Sequence, residues 1–439
     1  METHGENPRK LVFAIIPARY SSVRLPGKML LPIAGKPLIL HTVARASEAS
    51  TIDEAIVATD DQRIFEAVTE NGHKAVMTSP DHQSGSDRIA EVAIDLPEGS
   101  IIVNVQGDEP LISPDTIDRA VETMLHGVAD IVTVCEPLTS LHGELLNFNV
   151  VKVVTGEDGR AFYFSRSPMP FPRDASLRHG GDPNRALENE PELFENFKKH
   201  TGLYVYSREY LLEFTKMPQT RLEKFESLEQ LRALENGAVI KVVEAVGTSI
   251  GVDTTEDLDH VKLKIGFPEI TIRQGTAEDI PAISEAYIRS VRASYTGFLP
   301  AEYLDGLSVE NRVQVFTKRQ DDHDSYRLLI AEDETGGVVG FIDYARKESG
   351  NFDHDGRIFS FYFVPEFQRR GLGGLLFRKC LRRMQSECYG SVCLDTIEAN
   401  PYRTFYEKMG GTLIAGETHE VIGRQYPTVV YGWDDLSKI

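Results

Sequence analysis

Residues 11–28 of the chain read Leu-Val-Phe-Ala-Ile-Ile-Pro-Ala-Arg-Tyr-Ser-Ser-Val-Arg-Leu-Pro-Gly-Lys. The apolar run 11–16 predicts a buried strand, and the loop that follows it carries three cations, Arg19, Arg24 and Lys28. Loops at the carboxyl ends of buried strands are where open α/β sheets bind ligands. Three cations in such a loop favour a polyphosphate ligand; the alternative is a solvated basic turn.

Outward from this stretch, short apolar segments alternate with amphipathic ones. We predict a helix over Lys36–Ala46, because its apolar residues recur at three- and four-residue spacing. Short strands are predicted at Glu54–Thr59 and Ile101–Gln106. This alternation is typical of an α/β domain whose mostly parallel sheet carries helices on both faces.

The strand at Ile101–Gln106 leads directly into Gly-Asp-Glu-Pro at 107–110. A carboxylate just past a buried strand is costly unless it binds something, so Asp108 and the cationic loop together predict a metal–phosphate site. The alternative is that Glu109 and its proline only shape the turn. Ser84 and Gly85 open a predicted helix and offer either backbone N–H groups to a ligand or an ordinary helix cap.

Further along, a turn at Gly156–Gly159 predicts a hairpin, and residues 168–191 are expected to form a long loop that is a lid or part of a subunit contact. One continuous helix is predicted over Leu222–Leu231. Asp253 stands just before a helix that Thr254 opens, with a capping partner three residues on.

The bulk properties exclude several classes of protein. The chain has 439 residues, a length that predicts two or three domains, with 41% hydrophobic and 26% charged residues. A net charge of -20 argues against nucleic acid or an anionic membrane as a partner. The four cysteines include no C-x-x-C pair, which argues against a disulfide framework and a zinc site. Residues 1–8 lack the apolar region of a signal peptide and no run reaches membrane-spanning length, so we expect a cytoplasmic protein.

Six motifs in the first 265 residues occur in an order that resembles the 3-deoxy-manno-octulosonate (Kdo) cytidylyltransferase family. They are Pro17–Lys28, His82–Gly85, Asn104–Pro110, Tyr163–Arg166, Leu228–Arg232 and Gly251–Thr254. The resemblance implies a Rossmann-like nucleotidyltransferase domain over residues 1–265. It also implies transfer of CMP from CTP to the 2-hydroxyl of a sugar acid, with release of pyrophosphate, for lipopolysaccharide-type sugar synthesis.

The resemblance also implies site residues, Mg²⁺ and a homodimer formed through this domain. Arg19, Lys28 and Asp108 would be catalytic, and Asp108 and Asp253 would hold the metal. The residues implied on the nucleotide side are Pro17, Ala18, Arg19, Arg24, Lys28, Ser84, Gly85, Arg88 and Gln106. Those implied on the sugar side are Gln106, Arg166, His200, Tyr204, Glu229 and Gln230.

Two residues depart from the family pattern: Thr255 replaces a usual proline, and Met169 a β-branched residue. The motifs do not distinguish Kdo from its 8-amino form, and a sialic-acid-like substrate is an alternative. No catalytic Ser/His or Cys/His arrangement stands out, and phosphoryl-type transfer needs none, since it depends on positioning and charge stabilisation.

A new pattern begins at Ile270, after a short predicted linker at 266–269. Strands at 328–332 and 338–344 flank a glycine turn and predict an antiparallel hairpin. A long strand at 357–364 then leads into a glycine-rich turn and a helix. Glycines at a strand-to-helix turn allow a phosphate to approach backbone N–H groups, so the turn predicts a second anion site.

The turn and the later segment from Asn400 to Gly411 resemble the GNAT N-acetyltransferases. The resemblance implies an α+β domain over 270–439 with a mixed, largely antiparallel sheet, acetyl-CoA as donor, and Tyr406 as the acid that protonates the CoA thiolate. The residues implied in cofactor binding are Val364, Gln368, Arg369, Arg370, Gly371, Leu372, Gly373, Gly374 and Asn400. For the general base, Glu398, Glu366 and Asp395 stay open. A non-catalytic, CoA-binding regulatory module is the alternative.

Overall fold

The computed structural model describes residues 9–22, 24–347 and 353–438, so the polar segment 1–8 used for the signal-peptide prediction lies outside it. The chain separates into two compact units, Met1–Val261 and Lys262–Ile439. The expected linker begins at the last residue of a helix, Thr255–Gly266, within which the units divide. The limits 1–265 and 270–439 therefore stay a prediction.

The strands of the first unit are β1 Val12–Ala18, β2 Pro32–Ile33, β3 Lys36–Pro37, β4 Glu54–Thr59, β5 Lys74–Met77, β6 Ile101–Asn104, β7 Ile131–Pro137, β8 Lys152–Thr155, β9 Ala161–Ser165, β10 Lys198–Ser207 and β11 Ile240–Glu244. The helices are α1 Leu38–Glu48, α2 Gln62–Thr69, α3 Gly85–Ala93, α4 Pro114–His126, α5 Arg173–Arg178, α6 Pro183–Asn189, α7 Arg208–Phe214, α8 Arg221–Glu226, α9 Gln230–Glu235 and α10 Thr255–Gly266.

The main sheet has the order β11-β7-β10-β6-β1-β4-β5, and the β8–β9 hairpin joins it through β10. Strand β1 pairs in parallel with β4 and β6, and β4 pairs in parallel with β5. Only β10 enters this path antiparallel to both neighbours, β6 and β7. The predicted mostly parallel α/β sheet is confirmed, and the loops after β1 and β6 lie at the same edge because the two strands are parallel.

Two predictions about the first unit are wrong. The expected loop 168–191 contains α5 and α6; Asp182 caps α6 and Pro183 opens it, so the polar composition marks helix starts rather than an unstructured loop. The expected helix over 222–231 is two helices, α8 and α9. It breaks at Ser227, which adopts φ 53°, and the carbonyl of Glu226 accepts from Arg166 Nε at 2.8 Å instead of continuing a helix.

The strands of the second unit are β12 Ile270–Gln274, β13 Arg327–Asp333, β14 Val338–Arg346, β15 Gly356–Phe363, β16 Val392–Ile397, β17 Thr412–Val421 and β18 Arg424–Trp433. Its helices are α11 Ile280–Tyr295, α12 Ala301–Asp305, α13 Val309–Asp322, α14 Leu372–Ser386 and α15 Thr404–Lys408.

These strands form one sheet of order β12-β13-β14-β15-β16-β18-β17. All neighbours are antiparallel except β15 and β16, which pair in parallel only at Gly356–Val392 and Arg357–Cys393. The predicted mixed, largely antiparallel sheet is confirmed. Beyond Arg357 the two strands separate and leave an opening in the sheet. In the described part of the chain, no helix is both long and apolar enough to cross a membrane.

Candidate active sites

The cationic loop after β1 is folded around the ring of Tyr20. The backbone N–H of Gly27 donates to the Tyr20 carbonyl at 3.1 Å, and the guanidinium of Arg63 lies 3.3 Å from the ring centroid. A Cβ on Gly27 would meet the ring at 3.1 Å, and the residue has φ 67°, so both the space and the backbone conformation favour glycine. No sequence pattern indicates the contact between Tyr20 and Arg63, because only the folded loop brings the two side chains together.

At the end of this loop, the Lys28 ammonium lies between two carboxylates. Its Nζ is 2.5 Å from Asp108 Oδ2, 2.9 Å from Asp253 Oδ1 and 2.9 Å from the carbonyl of Val252. Arg24 Nη2 donates to the other oxygen of Asp253 at 2.8 Å. Burial would lower the pKa of Lys28, but the charges and hydrogen bonds of the two carboxylates outweigh it and raise that pKa. The structure thus joins Lys28 to both predicted metal ligands and Arg24 to one of them, Asp253.

The donor chemistry of this cluster fits Mg²⁺. The ion binds carboxylate oxygens and usually takes its remaining ligands from substrate phosphates and water. Asp108 and Asp253 come from segments far apart in the sequence, yet both contact one cation, Lys28. Among the described residues, no group of three or more His, Cys, Asp or Glu side chains converges. Two carboxylates would therefore leave several metal positions to a nucleotide.

The end of β1 and the loop after β6 approach closely at Gly107. A Cβ there would lie 2.7 Å from the carbonyl oxygen of Pro17, and 3.3 Å from Ile39 Cδ1 and from Met29 Cε. Thr42 on α1 donates to the Gly107 carbonyl at 2.9 Å and holds the segment in place. Gly107 therefore sets the separation between the cationic loop and Asp108.

We expect Gly107→Ala to push the loop after β6 away from the end of β1, because the new methyl group would overlap the carbonyl oxygen of Pro17. The expected cost is about 1–3 kcal/mol of unfolding free energy, together with weaker transfer activity at the site. Urea unfolding and turnover assays check this. Gly266→Ala is the control, since nothing lies within 4 Å of its added Cβ. Unchanged stability and activity in Gly107→Ala would contradict the prediction.

On the predicted nucleotide side, Arg19 Nη2 donates to the carbonyls of His82 at 2.6 Å and Ser84 at 3.3 Å. Ser84 caps α3, its hydroxyl accepting from the N–H of Asp87, so the ordinary helix cap is present. A Cβ on the next residue, Gly85, would touch Pro17 at 3.6 Å. The structure therefore brings Pro17, the buried Ala18, Arg19, Ser84 and Gly85 together.

The side chain of Arg88, one helical turn after Ser84, binds two other residues. It is fully buried, and its guanidinium bonds Asp60 Oδ2 at 2.7 Å and the hydroxyl of Thr78. These two partners follow β4 and β5, so Arg88 ties the carboxyl ends of two neighbouring strands together. Its charge is already compensated, and direct contact with a nucleotide stays a prediction.

On the predicted sugar side, the amide of Gln106 donates to Asn104 Oδ1 at 3.2 Å and to the carbonyl of Gly202 at 3.1 Å. His200 Nε2 lies 2.8 Å from Thr133 Oγ1, and Thr133 itself donates to a backbone carbonyl. His200 is therefore the donor in that pair. Burial lowers the pKa of His200 to about 3, so the imidazole is neutral and can accept through Nδ1. The ring of Tyr204 lies 5.3 Å from it.

Three further sugar-side residues differ in how fully they are bonded. Arg166 is held by backbone carbonyls, among them that of Phe148 at 3.0 Å. Glu229 accepts from the hydroxyl of Ser86 at 2.7 Å, a link that no sequence signal indicated. Gln230 is 4% exposed, and within the described residues its amide nitrogen has no hydrogen-bond partner. An unsatisfied buried donor is costly, so a ligand at this position would remove a penalty.

Glu109, next to Asp108, is buried and accepts from Ser249 Oγ at 2.9 Å. Burial and the neighbouring charge of Asp108 raise the pKa of Glu109 to about 7, from an ordinary 4.5. From the sequence, Glu109 was expected only to shape the turn. Its burial could not be predicted, because it depends on strand β10 and on the segment around Ser249.

The pKa of Glu109 predicts a pH dependence of stability. The folded protein holds the Glu109 proton more tightly than the unfolded chain does. The contribution of this group to the free energy of unfolding is therefore complete at low pH and is lost as the pH rises through about 7. For metal-free protein we expect Glu109→Gln to remove roughly 2–3 kcal/mol of the loss in unfolding free energy between pH 5 and pH 8. Urea titrations at both pH values check this, with the exposed Glu157→Gln as control. The same loss in wild type and Glu109→Gln would contradict it.

In the second unit, the glycine-rich turn lies between β15 and α14. Gly371 precedes α14 with φ 98°, and Arg369 adopts φ 57°. Gln368 Nε2 donates to the carbonyl of Phe363 at 2.7 Å and closes the turn onto the end of β15. The backbone N–H groups at the start of α14 are thus grouped at the opening between β15 and β16, as an anion site requires.

Two cavities lie along this opening. The larger, about 210 Å³, is mainly aromatic and reaches Gln368, Arg369 and Gly373 of the turn. The smaller, about 50 Å³, includes Ser360, Asp395 and Thr396. Five side chains border both cavities, namely Tyr295, Phe361, Tyr362, Asn400 and Tyr406.

Asn400 and Tyr406 therefore lie where the two cavities meet. The Asn400 amide donates to Thr396 Oγ1 at 2.9 Å and to the Tyr295 hydroxyl at 3.3 Å, so it orders this wall of the cavity. Burial raises the pKa of Tyr406 well above its usual value, so its hydroxyl keeps its proton at neutral pH. A protonated phenol at this boundary can act as an acid.

The three candidates for the general base are placed differently. Asp395 borders the smaller cavity and pairs with Arg357 at 2.5 Å. Glu366 forms an exposed ion pair with Arg289 at 2.9 Å. Glu398 is exposed and borders neither cavity. By position, Asp395 is the candidate nearest to Tyr406.

Comparison with known proteins divides the chain in the same way. Residues 13–244 match the family model "Cytidylyltransferase", and residues 289–411 match "Acetyltransferase (GNAT) family". The 3-deoxy-manno-octulosonate cytidylyltransferase of Trichlorobacter lovleyi is 50% identical over 256 residues, 57% of this chain and 97% of that protein. Its counterpart in Geobacter sulfurreducens is 49% identical over 259 residues, 58% and 99% of the two chains. A solved CMP:2-keto-3-deoxy-manno-octonic acid synthetase in complex with CTP is 37% identical, with TM-score 0.52, over 58% of this chain and 98% of that one.

Proposed function

The chain belongs to the cytidylyltransferase family and carries a GNAT acetyltransferase domain after it, and on that premise we propose a two-site enzyme. Its first site transfers CMP from CTP to the 2-hydroxyl of a Kdo-type sugar acid and releases pyrophosphate. The observation that carries this proposal is the meeting of Lys28, Asp108 and Asp253 at the edge of the parallel sheet.

The residues around this cluster suit the reaction. Arg19 donates to two neutral carbonyls, so neither acceptor neutralises its positive charge. A triphosphate would take Arg19, Arg24 and Lys28 as partners, and the three cations would offset charge on the leaving pyrophosphate. Asp108 and Asp253 would hold Mg²⁺, which when bound neutralises phosphate charge and orients the nucleotide.

The sugar acid would lie against Gln106, Arg166, His200, Tyr204, Glu229 and Gln230. The unpartnered amide of Gln230 supports this, since it is a donor that needs an acceptor. Neutral His200 would accept a hydrogen bond from a sugar hydroxyl and would not pair with the sugar carboxylate. Arg166 donates three of its five N–H groups to the carbonyls of Glu226, Phe148 and Ser227, and the remaining two would bind that carboxylate.

The test is pyrophosphate release from CTP and Mg²⁺ across a panel of sugar acids that includes Kdo, its 8-amino form and a sialic acid. We expect release with one of the first two. Release with the sialic acid alone, or with none of them, would contradict the assignment.

At the second site we propose that acetyl-CoA donates its acetyl group to an amine. The turn Gln368–Gly374 and Val364 would bind the cofactor at the opening between β15 and β16, and Tyr406 would protonate the departing thiolate. The support is that Tyr406 borders both cavities and is buried with its proton. Since the two domains are fused, we further propose that both act in one sugar pathway. CTP and acetyl-CoA as co-substrates accord with a cytoplasmic enzyme.

We also propose that the chain forms a homodimer through the first unit. Four phenylalanines of this unit are exposed, Phe148 by 70%, Phe162 by 63%, Phe171 by 64% and Phe225 by 87%. Phe148 and the residue after Phe225 both contact Arg166 through their carbonyls, so the backbones that carry two of these side chains lie near each other. Exposed aromatics of this size are typical of interfaces. Sedimentation of wild type against Phe225→Ser tests this, and a wild-type monomer at micromolar concentration would contradict it.

A further inference from the structure

One ion pair spans the opening where β15 and β16 separate. Arg357, the last paired residue of β15 on this side, donates from Nη2 to Asp395 Oδ1 of β16 at 2.5 Å. The side chains are 46% and 37% exposed, so water reaches both. Asp395 also borders the smaller, polar cavity. Tyr406 borders this cavity and the larger one, which reaches the glycine-rich turn proposed to bind the cofactor. Asp395, with Arg357 bonded to it, therefore lies where an acceptor would approach the acetyl group.

A second guanidinium, that of Arg319, also lies near the ring of Phe359. Arg319 donates from Nη1 to Asp343 at 2.9 Å and to Ser360 Oγ at 3.0 Å, and Ser360 borders the same cavity. The ring of Phe359 lies 5.0 Å from the Arg319 guanidinium carbon and 5.8 Å from that of Arg357. The polar cavity thus has a carboxylate in its wall and two guanidinium groups around one of its aromatic side chains.

We infer that the acceptor of the second site is a zwitterion, an amine that also carries a carboxylate or phosphate group. Its ammonium would bind Asp395 and its acid group would bind Arg357. The inference deepens the acetyl transfer proposed above and rests on it.

The physical reason is balance of charge. An exposed ion pair contributes little to stability, so opening the Arg357–Asp395 pair has a small cost. A zwitterion gives each residue a new partner of opposite charge. A simple cationic amine would bind Asp395 and leave Arg357 unpaired, and an acid without an amine would leave Asp395 unpaired. Arg357 also offers a fork of donors that suits a carboxylate or phosphate.

The transfer step balances as follows. The bound ammonium releases a proton to solvent, and the amine nitrogen attacks the thioester carbon. The carbon–sulfur bond breaks, the nitrogen loses a second proton, and the thiolate takes the proton of Tyr406, which is then reprotonated. The products are an amide and CoA thiol, with one proton released per turnover.

An 8-amino sugar acid meets this requirement, and so does its CMP adduct, which carries a phosphate as well. Unrelated amino acids also belong to the class. The test therefore uses the full chain with acetyl-CoA and measures thiol release for each of these amines and for its carboxamide or neutral counterpart.

We expect at least one acid-bearing amine to give a kcat/KM at least tenfold above that of its neutral counterpart. Arg357→Gln should reduce this ratio below threefold, mainly through KM, and Arg357→Lys should restore part of it. The control is Arg383→Gln, since Arg383 is 48% exposed in a similar pair with Glu387 at 2.7 Å and borders neither cavity.

The outcomes separate this inference from the proposed function. Thiol release without preference for an acid group, or a preference that Arg357→Gln leaves intact, overturns the inference alone. If none of the amines gives thiol release, acetyl transfer and the inference are both overturned. Preference for the free sugar acid or for its CMP adduct supports the inference. Preference for the free acid would place acetyl transfer before CMP transfer, and preference for the adduct would place it after.

Discussion

Replacement of Asp108 by asparagine is expected to lower CMP transfer roughly 10³-fold and to leave thiol release at the second site unchanged. The side chain keeps its size and still accepts a hydrogen bond from Lys28, but it loses the charge that would bind Mg²⁺. Asp253 alone would then face both the metal and Lys28, which lies 2.9 Å from it. Pyrophosphate release at saturating CTP and Mg²⁺ measures the effect.

The matched control for this variant is Asp158→Asn. Asp158 also pairs with a lysine, Lys241, at 2.9 Å, but the pair lies at the exposed hairpin turn. We expect the control to keep activity within about twofold, as is usual for exposed pairs. Circular dichroism would verify that both variants fold. If Asp108→Asn kept more than a tenth of wild-type activity, the proposed metal ligand would be wrong.

Replacement of Tyr406 by phenylalanine is expected to lower acetyl transfer by about 10²-fold and to leave CMP transfer unchanged. The ring would keep its contacts with Phe377, Phe405 and Tyr431, so the change removes one hydroxyl from the boundary of the two cavities. Burial raises the pKa of this hydroxyl, so it is protonated at neutral pH, and its role as the acid depends on its place at the boundary of the two cavities. Thiol release and pyrophosphate release, measured on the same preparation, separate the two activities.

Tyr344→Phe is the control here, because Tyr344 is buried, bonds Glu387 at 3.1 Å and borders neither cavity. If the second domain were instead a regulatory module, the wild type would release no thiol, and added CoA would change the rate of CMP transfer. Unchanged acetyl transfer in Tyr406→Phe would contradict the role of the hydroxyl as the acid.

Local sequence patterns predicted much of the fold. Strand β4 has the predicted bounds, and the turn at Gly156–Gly159 joins β8 to β9. Thr254 and Asp257 exchange the expected capping hydrogen bonds before α10. The helix break at Ser227 was missed, because a left-handed residue followed by a new helix has no marker in the apolar spacing.

Apolar period, glycine placement and motif order are local properties of the sequence, and they were enough to predict most of the elements, the chemistry of each loop and the two families. Which charges meet depends on the tertiary structure. Lys28 and Asp253 are 225 residues apart, and their contact depends on strand order and on the close approach at Gly107. The same holds for three other residues. Arg88 is buried and connects two strand ends, His200 is neutral, and Tyr406 borders two cavities. Each of these properties depends on how the chain packs, and the spacing of residues in the sequence does not indicate it.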